Sequence, residues 1–489
     1  MNTPRATRTA AQLRPDAARV VARLFLPGEE PHLAHSRAAE IVDRVMAIDE
    51  AQVELSVARL LETFASRHHN YEQLLTSHAS IVASHVEDPD QLSPARTLLL
   101  GATFTAEYAV EGAAVCNPSA FLHPDQTSLG AGEVRVAISV RGIGEGHLSS
   151  IGFRSAIAGP GKQWRFAEPT YPISPGVVTS APSHRDHLRA VLADHGDVDE
   201  LAQNVVRLLP TRFEEADLDR VFSQVNPHLL SRPGATASAQ LIRRLGASSY
   251  TVAFDAATLL EQRILMPSVA EESNGMEDAR FTHFLSDDGT VQFRATYTAY
   301  DGYRIAPRVL TSPDLRVFRA HRLAGPAARN KGMALFPRLV GGRHLALCRS
   351  DGESTSVTSS GDGLLWTEPR LVQQPTATWE TLQVGNCGPP IETAAGWLVL
   401  THGVGAMRTY SIGAVLLDLD DPTVLLGRLT APLLEPEPDE QDGYVPNVVY
   451  SCGGMVHDGV LWIPYGIGDS RIGVAHVALD AVLDALIPV

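Results

Sequence analysis

The chain has 489 residues, 44% of them hydrophobic and 20% charged, with a formal net charge of -16. This is ordinary globular composition, with length for more than one domain. An acidic chain has no general affinity for nucleic acid or anionic membranes, so neutral small molecules or sugars are the expected ligands.

The first residues, Met1 to Arg14, are basic and lack the apolar stretch of a signal peptide. No later run reaches the ~20 apolar residues that a membrane helix needs. The cysteines Cys116, Cys348, Cys387 and Cys452 stand far apart, with no C-x-x-C pair. They read as buried free thiols of a reducing compartment, and a cytoplasmic protein without metal or cofactor is the expectation.

From 15 to 108 the pattern is helical. Apolar residues recur at helical spacing in Ile41–Ile48 and in Val53–Phe64. Ser93-Pro94 is set to cap a third apolar helix. His68-His69-Asn70 lacks a third ligand at a recognisable spacing and reads as a helix end.

At Gly132 the texture changes to short strands. Gly132 is followed by Val134-Arg135-Val136-Ala137-Ile138-Ser139-Val140-Arg141, a turn glycine and then apolar–polar alternation. The same figure returns after Gly289, Gly342, Gly396 and Gly459, at intervals of 53, 54 and 63 residues. The first interval, 157 residues, is about 100 longer than the ~50 of a repeating blade. Amphipathic helices between Ser183 and Leu245 account for most of that excess. The reading is a mainly β fold: a five-bladed β-propeller with an N-terminal α-helical region (1–110), a first blade (111–182), a helical insert (183–247) and the remaining blades (248–489). Polar residues at the ends of inner strands, among them Arg141, Arg349, His402 and Asp469, would converge on the axis and line a pocket suited to a sugar.

Inside this frame lies Glu272-Ser273-Asn274-Gly275-Met276-Glu277-Asp278-Ala279-Arg280, two adjacent carboxylates and an arginine ahead of the strand-like run Val291–Tyr300. On its own it reads as an acidic surface turn before a hairpin. It gains meaning beside Asn117-Pro118, Asn330-Lys331-Gly332-Met333, Gly388-Pro389-Pro390-Ile391-Glu392, Thr401-His402-Gly403, Tyr444-Val445-Pro446-Asn447 and Tyr465-Gly466-Ile467-Gly468-Asp469. Together, in this order, these stretches resemble glycoside hydrolase family 130, the β-mannoside phosphorylases and β-mannosidases. The resemblance runs from about Ala113 to Val477, apart from the helical insert.

The resemblance implies the five-bladed fold and a set of roles. Asp278 would be the general acid, its proton reaching the glycosidic oxygen through a hydroxyl of the bound mannose. Glu277 would orient the sugar or Arg280. Asn117, Arg141 and Asp469, with Asn274, Arg280, Asn447 and Tyr465, would bind the substrate. Lys331, Arg349 and His402 fall where phosphorylases hold inorganic phosphate. Glu392 stands where phosphorylases have lysine. A carboxylate there would repel phosphate and could activate water, with Glu353 as a second candidate base. The expectation is therefore an inverting β-mannosidase that hydrolyses β-1,2-mannooligosaccharides. The alternatives are a phosphorylase releasing mannose 1-phosphate and a non-catalytic sugar-binding propeller. A mannose-containing oligosaccharide is the expected partner, phosphate a second one, and the helical regions are candidate surfaces for a homo-oligomer.

Overall fold

The structure is a computed structural model that describes residues 3–27, 37–196 and 198–489. It is mainly β, with ten α-helices among the described residues.

The strands form consecutive antiparallel runs. The first comprises β2 (Ala114–Leu122), β3 (Val134–Ile143), β4 (Ser149–Gly159) and β5 (Gln163–Phe166), following β1 (Thr7–Leu13) in the chain. The second is β6 (Gly275–Leu285), β7 (Val291–Tyr300), β8 (Ile305–Ser312) and β9 (Val317–Arg322). These two runs belong to one 11-stranded sheet, but β4 and β6 are joined only by the parallel pairing Gly275↔Ser149. A four-stranded sheet follows: β10 (Ala334–Leu335), β11 (His344–Cys348), β12 (Thr355–Ser360) and β13 (Arg370–Gln373). Next come β14 (Gln383–Asn386), β15 (Gly396–Val404), β16 (Tyr410–Leu417) and β17 (Leu425–Arg428). The last run is β18 (Val449–Tyr450), β19 (Val460–Ile467) and β20 (Arg471–Ala478), with β1 as its outer strand.

Apolar side chains on both faces of these runs explain the stacking. Phe121 and Phe153 of the first run meet Phe281, Phe293 and Phe318 of the second, with the Phe121 and Phe281 rings stacked at 4.8 Å. Val309 packs with Leu335 and Ala346 between the second and third. Phe336 meets Trp397 edge-on at 5.1 Å between the third and fourth. Leu398 and Leu400 meet Leu461 and Ile463 between the fourth and fifth. Val136 and Val140 meet Trp462 and Val474 between the first and the last. Each such buried side chain contributes ~1.5–3 kcal/mol, so the contacts between runs are a principal source of stability.

Four helices precede the first run: α1 (Arg37–Met46), α2 (Glu50–Phe64), α3 (Tyr71–Val82) and α4 (Pro94–Thr103); α1, α3 and α4 share a small core around Val42, Ala79 and Phe104. Ser93 caps α4, its Oγ accepting from the Arg96 amide, with Pro94 in the first turn. The region departs from the helical expectation in two places. Val20–Leu24 and Thr105–Ala109 pair as antiparallel strands, and Thr7–Leu13 leaves the helices to join the last sheet. Both pairings are between distant segments, so local periodicity carries no sign of them. His68, at the end of α2, holds Glu107 at 2.8 Å, and no group of three His, Cys, Asp or Glu among the described residues is placed to hold a metal.

Between the first two runs lie α5 (Arg185–Asp194), α6 (Glu200–Leu208), α7 (Glu215–Gln224), α8 (Pro227–Leu230) and α9 (Ala235–Gly246), with their own core of Leu188, Val205, Phe222 and Ile242. No described helix is long and apolar enough to cross a membrane.

Candidate active site

Two β-bulges aim the central side chains. On β2 the pairing shifts between Cys116 and Ser119, so Asn117 and Pro118 are squeezed out of the ladder. On β6 the same happens between Glu277 and Arg280, at Asp278 and Ala279. Asn117 and Asp278 take left-handed φ values of 51° and 55°. Such a conformation costs roughly 1–2 kcal/mol for a residue with a Cβ, and Asn and Asp tolerate it best. A bulge also re-aims its side chain. Here both point into one cavity of about 180 Å³, which Asp469 (φ 48°), in the turn after β19, also lines.

Asp278 is the hub of an ionic network. The Asn117 amide donates to its Oδ1, Arg141 Nη1 lies 3.5 Å from the same oxygen, and Arg280 Nη2 lies 3.9 Å from Oδ2. Arg280 is fully buried and held by three acceptors: the Cys387 carbonyl at 2.9 Å, the Asp278 carbonyl at 2.7 Å and the Tyr450 hydroxyl at 2.7 Å. Arg141 donates to Glu277 Oε1 at 2.8 Å, and Lys331 pairs with the other oxygen of Glu277. Burial pushes the Asp278 carboxyl up, but Arg141, Arg280 and Lys331 outweigh it and hold the group below the usual carboxylate range. Burial, reinforced by the charge of Asp278, pushes Asp469 up to about 6.

The other half of the cavity is basic and short of counter-charge. His402, on β15, is buried, and its Nε2 lies 3.2 Å from Arg349 Nη1. Burial and then the charges of Arg349 and Arg280 push its imidazole well below its ordinary value, so it is neutral and accepts from Arg349. Gly385 leaves room for this pair: a Cβ there would stand 2.7 Å from the His402 ring. Arg349 has no carboxylate partner among the described residues, and its buried Nε has no hydrogen bond.

The structure thus brings Asn117, Arg141, Asp278, Lys331, Arg349, His402 and Asp469 to one cavity, with Glu277 and Arg280 tied directly to it. It does not bring Glu392 there. That carboxylate is half-exposed and grips Arg338 through both oxygens, at 2.7 and 2.9 Å, outside the lining residues. The reason is strand pairing: Glu392 pairs opposite Trp397, and Arg338 lies across the Trp397 ring at 4.8 Å, which draws Glu392 to the outer surface. Glu353 is exposed in the turn after β11. Asn274 is exposed beside Gly302, Asn447 is half-buried with its backbone bound to Gln441 and Tyr410, and Tyr465 is buried with its hydroxyl on Glu440 at 2.6 Å. None of these four lines the cavity. Sequence reasoning missed Gln383, Arg408, Tyr410 and Tyr450, which do. Tyr450 closes the quoted Tyr444–Asn447 stretch three residues on, and Tyr410 follows His402 on the paired strand, a signal that strand pairing makes readable.

Comparison with known proteins gives the family. The profile of a family described as beta-1,4-mannooligosaccharide phosphorylase matches residues 246–487. A 1,2-beta-oligomannan phosphorylase from Thermoanaerobacter sp. (strain X514) is 35% identical over 243 residues, 48% of this chain and 78% of that protein. A beta-1,2-mannobiose phosphorylase from the same organism is 32% identical over 228 residues, 45% and 73% of the two chains. The structure of a beta-1,2-mannobiose phosphorylase from Listeria innocua overlays 78% of this chain and 93% of its own, with a TM-score of 0.45 and 21% identity. With the matched segment running through Asp278, Lys331, Arg349, His402 and Asp469, the chain belongs to glycoside hydrolase family 130 and is an enzyme of its glycosidase and phosphorylase class.

Proposed function

We propose that the protein is an inverting β-mannoside phosphorylase acting on β-1,2-mannooligosaccharides, with inorganic phosphate as co-substrate and mannose 1-phosphate as product. The observation that carries this reading is the basic half of the cavity, where the Arg349 guanidinium, hydrogen-bonded to neutral His402, has no carboxylate partner among the described residues. A phosphate dianion supplies the missing charge, and charge-assisted hydrogen bonds offset its desolvation. The names of the two Thermoanaerobacter relatives support the β-1,2 linkage.

This replaces hydrolysis as the main reading. An inverting hydrolase needs a second carboxylate facing the acid across ~6.5–9.5 Å, with a water between. Glu392 and Glu353, the two candidates, lie outside the cavity. Non-catalytic sugar binding has no observation in its favour.

The chemistry follows from the two halves. Asn117, Arg141 and Asp469 hold the terminal mannose. A phosphate oxygen held by Lys331, Arg349 and His402 attacks the anomeric carbon from the face opposite the glycosidic oxygen. The C–O bond to the leaving sugar breaks, and its oxygen takes a proton that originates on Asp278 and passes through a mannose hydroxyl. Lys331 is both one of the cations that keep Asp278 ionised and one of the phosphate-binding groups. Phosphate binding neutralises it in part and raises the proton affinity of Asp278, so acid and nucleophile are assembled together.

The same reading includes a five-bladed propeller, with the boundaries given above, except that residues 7–13 complete the last blade. Its support is the division of the 11-stranded sheet at a single pairing and the five apolar clusters, each spanning two successive runs, with one joining the last to the first.

The test is product identity. With β-1,2-mannobiose, mannose 1-phosphate should form only when phosphate is present. Free mannose released at the same rate without phosphate would overturn the reading.

A further inference from the structure

We propose that Arg408 is a phosphate-binding residue at the mouth of the cavity, a fourth basic group beside Lys331, Arg349 and His402. The inference rests on the phosphorylase reading and adds a residue that none of the quoted sequence stretches contains.

Arg408 lies in the short connection between β15, which ends at Val404, and β16, which begins at Tyr410. Met407 and Arg408 both adopt left-handed backbone, with φ of 55° and 54°. Two consecutive side-chain-bearing residues in that region are costly, and glycine or asparagine would make the turn more easily. The result of the strain is a division of labour: the Met407 side chain stands 86% exposed, while Arg408 lines the cavity.

The charge pattern says what Arg408 meets there. Arg141, Arg280 and Lys331 each have a carboxylate within ion-pair distance. Arg349 and Arg408 are the two guanidinium groups of the lining without one, and among the described residues Arg408 has neither a hydrogen bond nor an ion pair. Its charge is near enough to lower the proton affinity of Asp469, against the larger effect of burial, while it lines the same cavity as Lys331, Arg349 and His402. A guanidinium free of internal partners, with a planar fork of donors, fits two oxygens of a tetrahedral anion. Arg349 is half-buried within the cavity and Arg408 is exposed at its mouth, so the two would grip the phosphate from opposite ends.

The experiment uses the full-length wild type with Arg408→Ala and Arg408→Lys. Initial rates are measured against phosphate at saturating β-1,2-mannobiose, and the reverse. Arg408→Ala should raise KM for phosphate about 10-fold or more, the scale of one charge-assisted contact, with KM for the mannoside within about 2-fold. Arg408→Lys, which keeps the charge but not the fork, should recover part of the loss. A ³¹P line-width titration of the sugar-free proteins gives phosphate binding independently of turnover, and melting curves identify any variant that fails to fold; if Arg408→Ala does, Arg408→Lys and the titration decide. A rise in KM for the mannoside with KM for phosphate unchanged would make Arg408 a sugar contact and overturn the inference, as would two unchanged KM values. If the wild type forms no mannose 1-phosphate, the phosphorylase reading itself falls, a result separate from any difference between variants.

Discussion

The side-chain amide of Asn117 donates to the carboxylate of Asp278, and each residue sits at the bulge of its own strand with a left-handed backbone. The two residues stand 161 positions apart in sequence, and their bond locks two runs together at the point where the chemistry is placed. Strained positions persist where the surrounding structure over-determines them, and the stacked rings of Phe121 and Phe281 join the same two strands. The apolar core fixes the strands, the bulges fix the two polar side chains, and the surrounding arginines fix their charge.

Replacing Asp278 by Asn should lower kcat by ~10²–10⁴, the usual contribution of a positioned acid. Asn keeps the shape and leaves Asn117 an acceptor, so mannoside binding measured by calorimetry should change only a few-fold. Removing the charge also leaves Arg141 and Arg280 with less compensation, so phosphate should bind at least as well. Retention of most of the activity would show that the acid lies elsewhere.

Glu392→Gln separates the two reaction types. If the carboxylate only grips Arg338 on the surface, the rate should change by less than about 2-fold and stability by ~0–1 kcal/mol, as for other exposed pairs. A water-activating base would instead lose most of its rate. Turnover on β-1,2-mannobiose, with and without phosphate, reads this directly.

Much of this arrangement was legible in the sequence, for a physical reason. Turn glycines such as Gly289, Gly342 and Gly459 all have positive φ, and a residue forced by backbone geometry leaves a regular mark. Asn117, Arg141, Asp278 and Asp469 were readable because they lie within recognisable stretches. Glu392 was misplaced because its neighbours in sequence fix its strand but not the surface it faces; that depends on Arg338 and Trp397, 54 residues before it and five after. Arg408 and Tyr410 were missed because a turn conformation held by tertiary contacts has no compositional signature. The strand Thr7–Leu13 was missed because its pairing partner lies at the far end of the chain.

Asp469 makes stability depend on pH in a definite direction. Burial and Asp278 raise its carboxyl from 3.8 to about 6, so between about pH 4 and 6 the folded state holds a proton that the unfolded chain releases. The associated stability is fully present below the lower value and is lost as pH rises through the upper one. Asp278, with its carboxyl lowered, acts in the opposite sense and only below about pH 4. The melting temperature of the ligand-free wild type, taken relative to Asp469→Asn, should therefore fall across pH 4 to 6. A flat difference curve would mean that Asp469 is not protonated in this cavity.

The N-terminal strand should be essential to the last sheet. β1 covers the edge of β20, pairing Thr7 with His476 and Leu13 with Ile472. Arg8 reaches Glu440 at 2.6 and 3.0 Å and Glu437 at 2.7 Å, and the second oxygen-bound partner of Glu440 is the hydroxyl of buried Tyr465. Deleting residues 1–14 would bare a row of backbone donors and acceptors on β20, an edge open to pairing with another chain. It would also leave a buried Glu440 without its cation. The deletion variant should aggregate or melt well below the wild type, and exchange protection of the β20 amides should fall. Arg8→Ala tests the ion pair alone and should cost about 1–3 kcal/mol in denaturant titration, the scale of hydrogen bonds to a charged, partly buried group. If the deletion variant keeps the oligomeric state, melting temperature and activity of the wild type, β1 is an ornament of the fold and not its closure.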